Sequence, residues 1–258
     1  MLKKLIITTQ DKLEKMIKER LEKASLEASR NYERNLLMKQ ADIASLQSQI
    51  NPHFLYNTLE CIRGQALLEG ADDIAETTKA LSRFFRYSIS GKNGVALIRD
   101  EIENIKNYVT IQQYRFRGRF TLNINAGNEE GILDAVIPKL SLQPVLENAI
   151  IHGFSDITEG GIIDISIRKT GRNVIIEVSD NGKGMDPEML DSLCTKIRNS
   201  NSLANDNTGP HTGIGLENVD RRIKLFFGSE YGLSVNSCPK VGTDVELFIP
   251  YMLSVNWL

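Results

Sequence analysis

Apolar positions recur at helical spacing through the first third of the chain and at strand spacing through much of the rest. Ile17, Leu21, Ala24 and Ala28 keep a 4-3-4 rhythm, and Ile43, Leu46 and Ile50 keep a 3-4 rhythm. Such stripes predict a coiled coil running into a helical bundle. Residues 10–69 contain one proline and one glycine, Pro52 and Gly64, among many Lys, Glu, Leu, Ala and Gln, all good helix formers. The stretch "EGADD" (Glu69–Asp73) breaks the pattern, with Gly70 as a stop and Asp72 as an N-cap. A second helix follows to about Ser88, with Ile74, Leu81, Phe84 and Phe85 on its apolar side. Two helices joined by a short turn form an antiparallel hairpin, which buries little alone and predicts dimerisation into a four-helix bundle.

Beyond the linker-like "SGKNG" (Ser90–Gly94) the periodicity becomes mixed. It predicts a helix from about Arg99 to Phe116, a strand at "RFTLNI", and a helix from Pro138 to about His152 with Pro138 at its first position. The run "IIDISIRKTGRNVIIEVSD" reads as two alternating strands around a turn at Thr170–Arg172. Residues 185–212 are polar and predict a long loop; a helix is expected over Ile214–Phe227 and a last hairpin over "GLSVNS" and "GTDVELFIP". The fold class is therefore α+β and multidomain. Its expected parts are a coiled-coil signalling linker at 1–40, a helical hairpin at 41–92 and an α/β domain at 93–258.

Composition narrows the partners. The chain has 258 residues, 41% of them apolar and 25% charged, the balance of an ordinary globular protein. A net charge of −2 argues against nucleic acid or an anionic membrane as the main partner. Three cysteines, Cys61, Cys194 and Cys238, without CxxC spacing, indicate neither a disulfide framework nor a zinc site and fit a reducing cytosol. No apolar run approaches the roughly 20 residues of a spanning helix.

Four segments carry candidate chemistry. In "LQPVLENAIIHGF", Asn148 sits on a helix with an amide oxygen to offer Mg²⁺. In "VSDNGKGM", a strand ends at Asp180, whose carboxylate suits an exocyclic amine, while Gly182 and Gly184 permit close approach of a ring. In "TGPHTGIGLENV", Gly209, Gly213 and Gly215 lead into a helix N-terminus, an anion-binding feature. In "GTDVELFIP", Thr243 follows Gly242. Each fragment alone has a plain structural explanation, as a turn or a core amide; their order and spacing together point to a nucleotide site.

The order of these segments resembles the N, G1 and G2 boxes of the GHKL ATP-binding fold shared by histidine kinases, gyrase, Hsp90 and MutL. The earlier stretches "LQSQINPHFLYNTLE" and "LSRFFRYSI" are similar to those of LytS/YesM-type sensor histidine kinases, so the resemblance runs from about residue 40 to residue 250. It implies a Bergerat-type α/β sandwich with a mixed β-sheet, behind a dimeric four-helix-bundle hairpin. By resemblance Asp180 reads the adenine amino group, Asn148 holds Mg²⁺, and His152 approaches the phosphates. Gly182 and Gly184 shape the adenine pocket, Gly213 and Gly215 bound a mobile ATP lid, and Thr243 supports the adenine through Asp180. Many relatives carry a lysine where this chain has Ile151, which leaves Lys183, Lys196 or Arg198 to supply that charge.

The same resemblance makes His53 the phosphoacceptor, since neutral imidazole attacks phosphorus near pH 7. Pro52 beside it needs explaining, because an interior helical proline costs about 3 kcal/mol. Either Asn51 caps a restarted helix with Pro52 at its first position, or the helix runs through with a kink. Phe54 stands where many histidine kinases place an acid; Glu60, two turns on, is the candidate base. Asn57, one turn after His53, suits orientation of water for dephosphorylating a partner regulator or a polar bundle contact. Arg86 suits phosphate neutralisation or the helix C-terminal dipole.

The expected activity is autophosphorylation from ATP and transfer to a response-regulator aspartate. Expected partners are a second copy and a response regulator. By family pattern this is the cytoplasmic portion of a membrane-anchored protein, attached through segments absent from this chain. A clamp-type ATPase is disfavoured, because the position one turn before Asn148 is Pro144 rather than glutamate, and Glu147 is rotated about 100° away. A non-catalytic scaffold is disfavoured by the intact His53, Asn148, Asp180 and Gly213.

Overall fold

The computed structural model describes residues 52–89, 94–127, 129, 131–199 and 214–253. The expected coiled coil, Asn51, most of the Ser90–Gly94 linker, and Gly209 and Gly213 lie outside the described residues. The first element, α1 (Pro52–Leu68), starts at the proline. A turn at Glu69–Ala71 leads to α2 (Asp72–Ile89), with Gly70 in the left-handed region at φ 68°. The described residues from Tyr56 onward pack as one unit. Of the side chains expected on the apolar side of α2, Leu81, Phe84 and Phe85 are partly covered while Ile74 is exposed. The buried positions are Ala75, Thr78, Ala80 and Ser82. Phe84 packs toward the next helix, its ring 5.7 Å from that of Tyr108.

Two short strands, β1 (Val95–Leu97) and β3 (Val136–Pro138), pair antiparallel around α3 (Ile98–Phe116) and β2 (Phe120–Asn125). The helix expected to begin at Pro138 begins instead at Gln143: α4 spans Gln143–Asn148 and continues as a π-helical turn over Ala149–Gly153. Pro138 ends a fully buried strand, where its missing N–H breaks no ladder, and Pro144 occupies the first turn of the helix. Farther on, β3 is anchored by the chain's late residues. The Val136 N–H donates to the Met252 carbonyl at 2.8 Å, and Ala135 bridges Leu253.

The main sheet has the order β2–β4–β5–β7–β6, with β4 (Gly161–Thr170), β5 (Asn173–Asp180), β6 (Gly232–Cys238) and β7 (Gly242–Pro250). Only β2–β4 is parallel, so the sheet is mixed. Alternation assigns its faces. Ile163, Ile165, Ile167, Val174, Ile176, Val178, Val245, Leu247 and Ile249 are buried under α3, α4, α5 (Pro187–Asn199) and α6 (Ile214–Phe227). The opposite face is polar, with Arg168 paired at 2.9 Å to both Glu177 and Glu246. The long loop expected over 185–212 is in its first part the helix α5. Asp186 caps it by accepting the Met189 N–H at 2.8 Å, Pro187 opens it, and Leu193 and Ile197 bury one side against the core.

Candidate functional site

A cavity of about 370 Å³ lies between α4, the ends of β5 and β7, and helices α5 and α6. Val145, Val178, Met185, Leu193 and Leu216 give it apolar walls, and Asn148, His152, Asp180, Lys183, Lys196 and Thr243 give it polar ones. That is the make-up of a small-ligand site, apolar with a few placed polar groups. Asn148, His152, Asp180, Gly184 and Thr243, picked out from three separate segments, therefore meet at one cavity.

Asp180 ends β5, paired in register with Thr243 on β7. Burial pushes its carboxyl up to about 6, with Asp244 adding to the rise; N–H donors of Gly182 and Thr243 hold the charged form and limit it. Gly182 is obligatory: a Cβ there would stand 2.5 Å from an Asp180 carboxylate oxygen and 2.7 Å from the Gly153 backbone. Gly184, at φ 66°, lies so close to the Cys238 carbonyl that any Cβ would overlap it. The turn between them is tied on both sides, Lys183 N–H to Gly153 O at 2.9 Å and Lys240 N–H to Lys183 O at 2.6 Å.

Ser237 is a site residue that the sequence did not announce. Its hydroxyl lies 2.9 Å from the Gly242 carbonyl, 2.9 Å from the Thr243 hydroxyl, and accepts the Met185 N–H at 2.9 Å. It ties the two glycine-bearing segments together behind Asp180. A serine in a strand with alternating polarity carries no local signal for this.

Asn148 donates its side-chain amide to the Pro144 carbonyl at 2.8 Å. With the nitrogen so committed, the oxygen is the atom with lone pairs for a cation, which fits a hard metal ion. The π-helical turn follows at once, closing with the Phe154 N–H on the Ala149 carbonyl at 3.0 Å. It leaves Ile151 and His152 exposed, His152 at the cavity. Such turns recur at functional positions in helices. Gly215, second residue of α6, sits where a Cβ would be 3.4 Å from Pro144 Cβ and 3.9 Å from the Asn148 amide nitrogen, so α6 begins against the Asn148 helix. Of the three cations able to replace the lysine absent at Ile151, Lys183 and Lys196 line the cavity and Arg198 does not.

The helical candidates lie on α1. His53, Asn57 and Glu60 are all exposed, and Glu60 pairs with Arg63 at 3.0 Å. The Arg86 guanidinium lies 5.2 Å over the Tyr56 ring.

Two further residues were missed. Glu101, in the first turn of α3, is fully buried. It accepts the N–H groups of Leu140 at 2.6 Å and Leu142 at 3.1 Å, the N–H of Ser141, and the hydroxyl of Tyr87. Burial pushes both the Glu101 carboxyl and the Tyr87 phenol up.

A mixed sheet covered on one face by helices, with a cavity between an asparagine-bearing helix and a strand-end aspartate, is the architecture expected of the GHKL fold. Residues 41–120 match the family described as Histidine kinase, and residues 134–252 that described as Histidine kinase-, DNA gyrase B-, and HSP90-like ATPase. The Sensor histidine kinase YesM of Bacillus subtilis (strain 168) is 38% identical over 222 residues, covering 85% of this chain and 35% of that protein. The Sensor histidine kinase YpdA of Escherichia coli (strain K12) is 34% identical over 226 residues, covering 87% and 37%. The Sensor protein LytS of Oceanobacillus iheyensis is 34% identical over 216 residues, covering 83% and 35%. The chain belongs to the sensor histidine kinases of the YesM and LytS kind. It spans 35–37% of the length of these relatives. Among the described residues no helix is long and apolar enough to cross a membrane.

Proposed function

We propose that this chain is the phosphotransfer portion of a two-component sensor kinase. It autophosphorylates His53 from ATP and passes the phosphoryl group to an aspartate of a response regulator. The observation that carries the reading is the convergence of Asn148, His152, Asp180 and Thr243 on one cavity, in a chain that also carries a histidine on an exposed helical face. In this reading residues 41–92 present His53 and residues 93–258 bind the nucleotide. Asp180 accepts the adenine amino group and His152 approaches the phosphates. Asn148 would supply one oxygen ligand to a bound Mg²⁺, whose charge would offset that of the phosphates. The ring nitrogen of His53 that carries no proton forms a bond to the γ-phosphorus while the bond to the β–γ bridging oxygen breaks, ADP leaves, and the proton on the other ring nitrogen passes to solvent or to a nearby base. Exposed Ile62, Leu67, Leu68 and Ile74 on the hairpin supply apolar surface for a second copy. A clamp-type hydrolase is the poorer reading, because Glu147 is engaged by the Gln143 amide at 2.8 Å and Pro144 has no base to offer.

The test is incubation of the purified chain with radiolabelled ATP and Mg²⁺. The expected product is acid-labile and base-stable, and His53→Gln abolishes it while leaving nucleotide affinity intact. Label persisting in His53→Gln would move the phosphoacceptor to His152 or His211.

A further inference from the structure

We propose that Glu101 is a positioning residue for the nucleotide site, and that Tyr87 makes it the joint through which the helical hairpin acts on the Asn148 helix. The inference rests on the phosphotransfer reading for one of its two tests.

The geometry centres on the four-residue loop Lys139–Leu142, which connects β3 to α4. From one side the Glu101 carboxylate takes the N–H groups of Leu140, Ser141 and Leu142. From the other, Arg222 of α6 donates to the carbonyls of Lys139 and Leu140. Leu140 is held at φ 59°, a left-handed conformation uncommon for a residue with a side chain. The loop is therefore fixed by the helix before it and by the helix that follows residues 200–213. It delivers the chain into α4, where Pro144 meets Gly215 and Asn148 faces the cavity.

Tyr87 belongs to the last turn of α2, the hairpin's second helix, yet its hydroxyl donates to the same carboxylate. Its ring also carries the Lys139 ammonium at 4.6 Å. The hairpin thus holds the loop at two points. A buried carboxylate is costly and is retained only where its donors are well placed. An apolar residue in this space would leave the three loop N–H groups unpaired and would not register the position of α2. Displacement of α2 along α3 withdraws one of the four donors and alters the hold on the loop that sets Asn148. Transfer from ATP depends on alignment within a fraction of an ångström, so the consequence falls on rate.

The experiment compares the full chain with Tyr87→Phe, which keeps the ring over Lys139 and the three backbone donors. The first readout is hydrogen exchange of the segment 139–149, which needs no kinase activity. Its exchange is expected to quicken roughly tenfold, the loss of one hydrogen bond to a charged group, with the β4–β5 hairpin unchanged. The second is the autophosphorylation rate constant against ATP. The maximal rate is expected to fall roughly tenfold with KM within twofold, while the melting midpoint drops by only a few degrees, as loss of one hydrogen bond requires. Combining Tyr87→Phe with Glu101→Gln should add little to Glu101→Gln alone, since both break one contact. Unchanged exchange in 139–149 would overturn the proposal. So would a proportional loss of rate, KM and melting midpoint, which marks a fold-supporting contact only, and so would a rate increase, which marks a restraint. Absence of label in the unaltered chain would refute the phosphotransfer reading instead, and hydrogen exchange would then decide the joint by itself.

Discussion

The Asp180 carboxylate and the Gly182 N–H are hydrogen-bonded at 2.8 Å across a two-residue turn. That bond, with the Thr243 N–H, holds the carboxylate at the cavity wall. Asp180→Asn keeps the shape but weakens the acceptor. It is expected to lower adenine-nucleotide affinity roughly 5- to 150-fold, the 1–3 kcal/mol of a buried donor left unpaired. The fold should stay intact. Calorimetric titration with ATP, beside a melting curve, measures both; unchanged affinity would refute the assignment of Asp180.

The same residue predicts opposite pH trends for stability and binding. Its carboxyl is pushed up to about 6 in the folded chain, against about 4 for an unfolded aspartate. Between these values the native state binds more protons than the unfolded one, so this contribution to stability falls as pH rises from about 4 to about 6 and is flat beyond. Nucleotide affinity should rise through the same window as the carboxylate ionises. Denaturant melts of the free chain at several pH values, with Asp180→Asn alongside, test the first trend. The asparagine variant should lack this component, and identical pH profiles in the two proteins would contradict it.

Lys196 lines the cavity from α5. Lys196→Ala is expected to weaken ATP roughly tenfold, with a smaller loss for ADP and none for adenosine, because a cation acting on the terminal phosphate has nothing to meet in the nucleoside. Equal losses across the three ligands would mean that Lys196 supports the wall and not the phosphates.

Asn57 follows His53 by one helical turn and is exposed. If it orients water on a docked aspartyl phosphate, Asn57→Ala keeps autophosphorylation and prolongs the life of the phosphorylated regulator severalfold. Dephosphorylation and autophosphorylation rates, with dimer content from sedimentation, separate this from a bundle contact. A looser dimer with both rates reduced would indicate the contact. Parallel loss with an intact dimer would place Asn57 in the transfer chemistry.

What could be read from the chain followed the range of the interactions. The pairs β4–β5 and β6–β7 were legible because alternation and a Gly-containing turn act within some twenty residues. Asp180, Asn148 and Thr243 were legible as motif positions. The start of the Asn148 helix was misplaced because two prolines, Pro138 and Pro144, both fit a helix N-terminus, and only the pairing of β3 with β1 decides between them. Helix α5 was missed although Asp186, Pro187, Leu193 and Ile197 mark it, since its polar residues blend with the segment that follows. Glu101 and Ser237 could not be found locally. The loop partners of Glu101, Leu140 and Leu142, stand 39 and 41 residues away, and Ser237 accepts from Met185 across 52.

The strand that opens into the Lys139–Leu142 loop is stitched to Met252 and Leu253. These two residues look like a dispensable tail beyond the last strand of the sheet. They are instead a foundation under the entry to the Asn148 helix. Trimming the chain at Pro250 or Tyr251, a natural choice when cutting a domain to its sheet, would leave β7 whole and yet loosen the strand from which the Asn148 helix is entered.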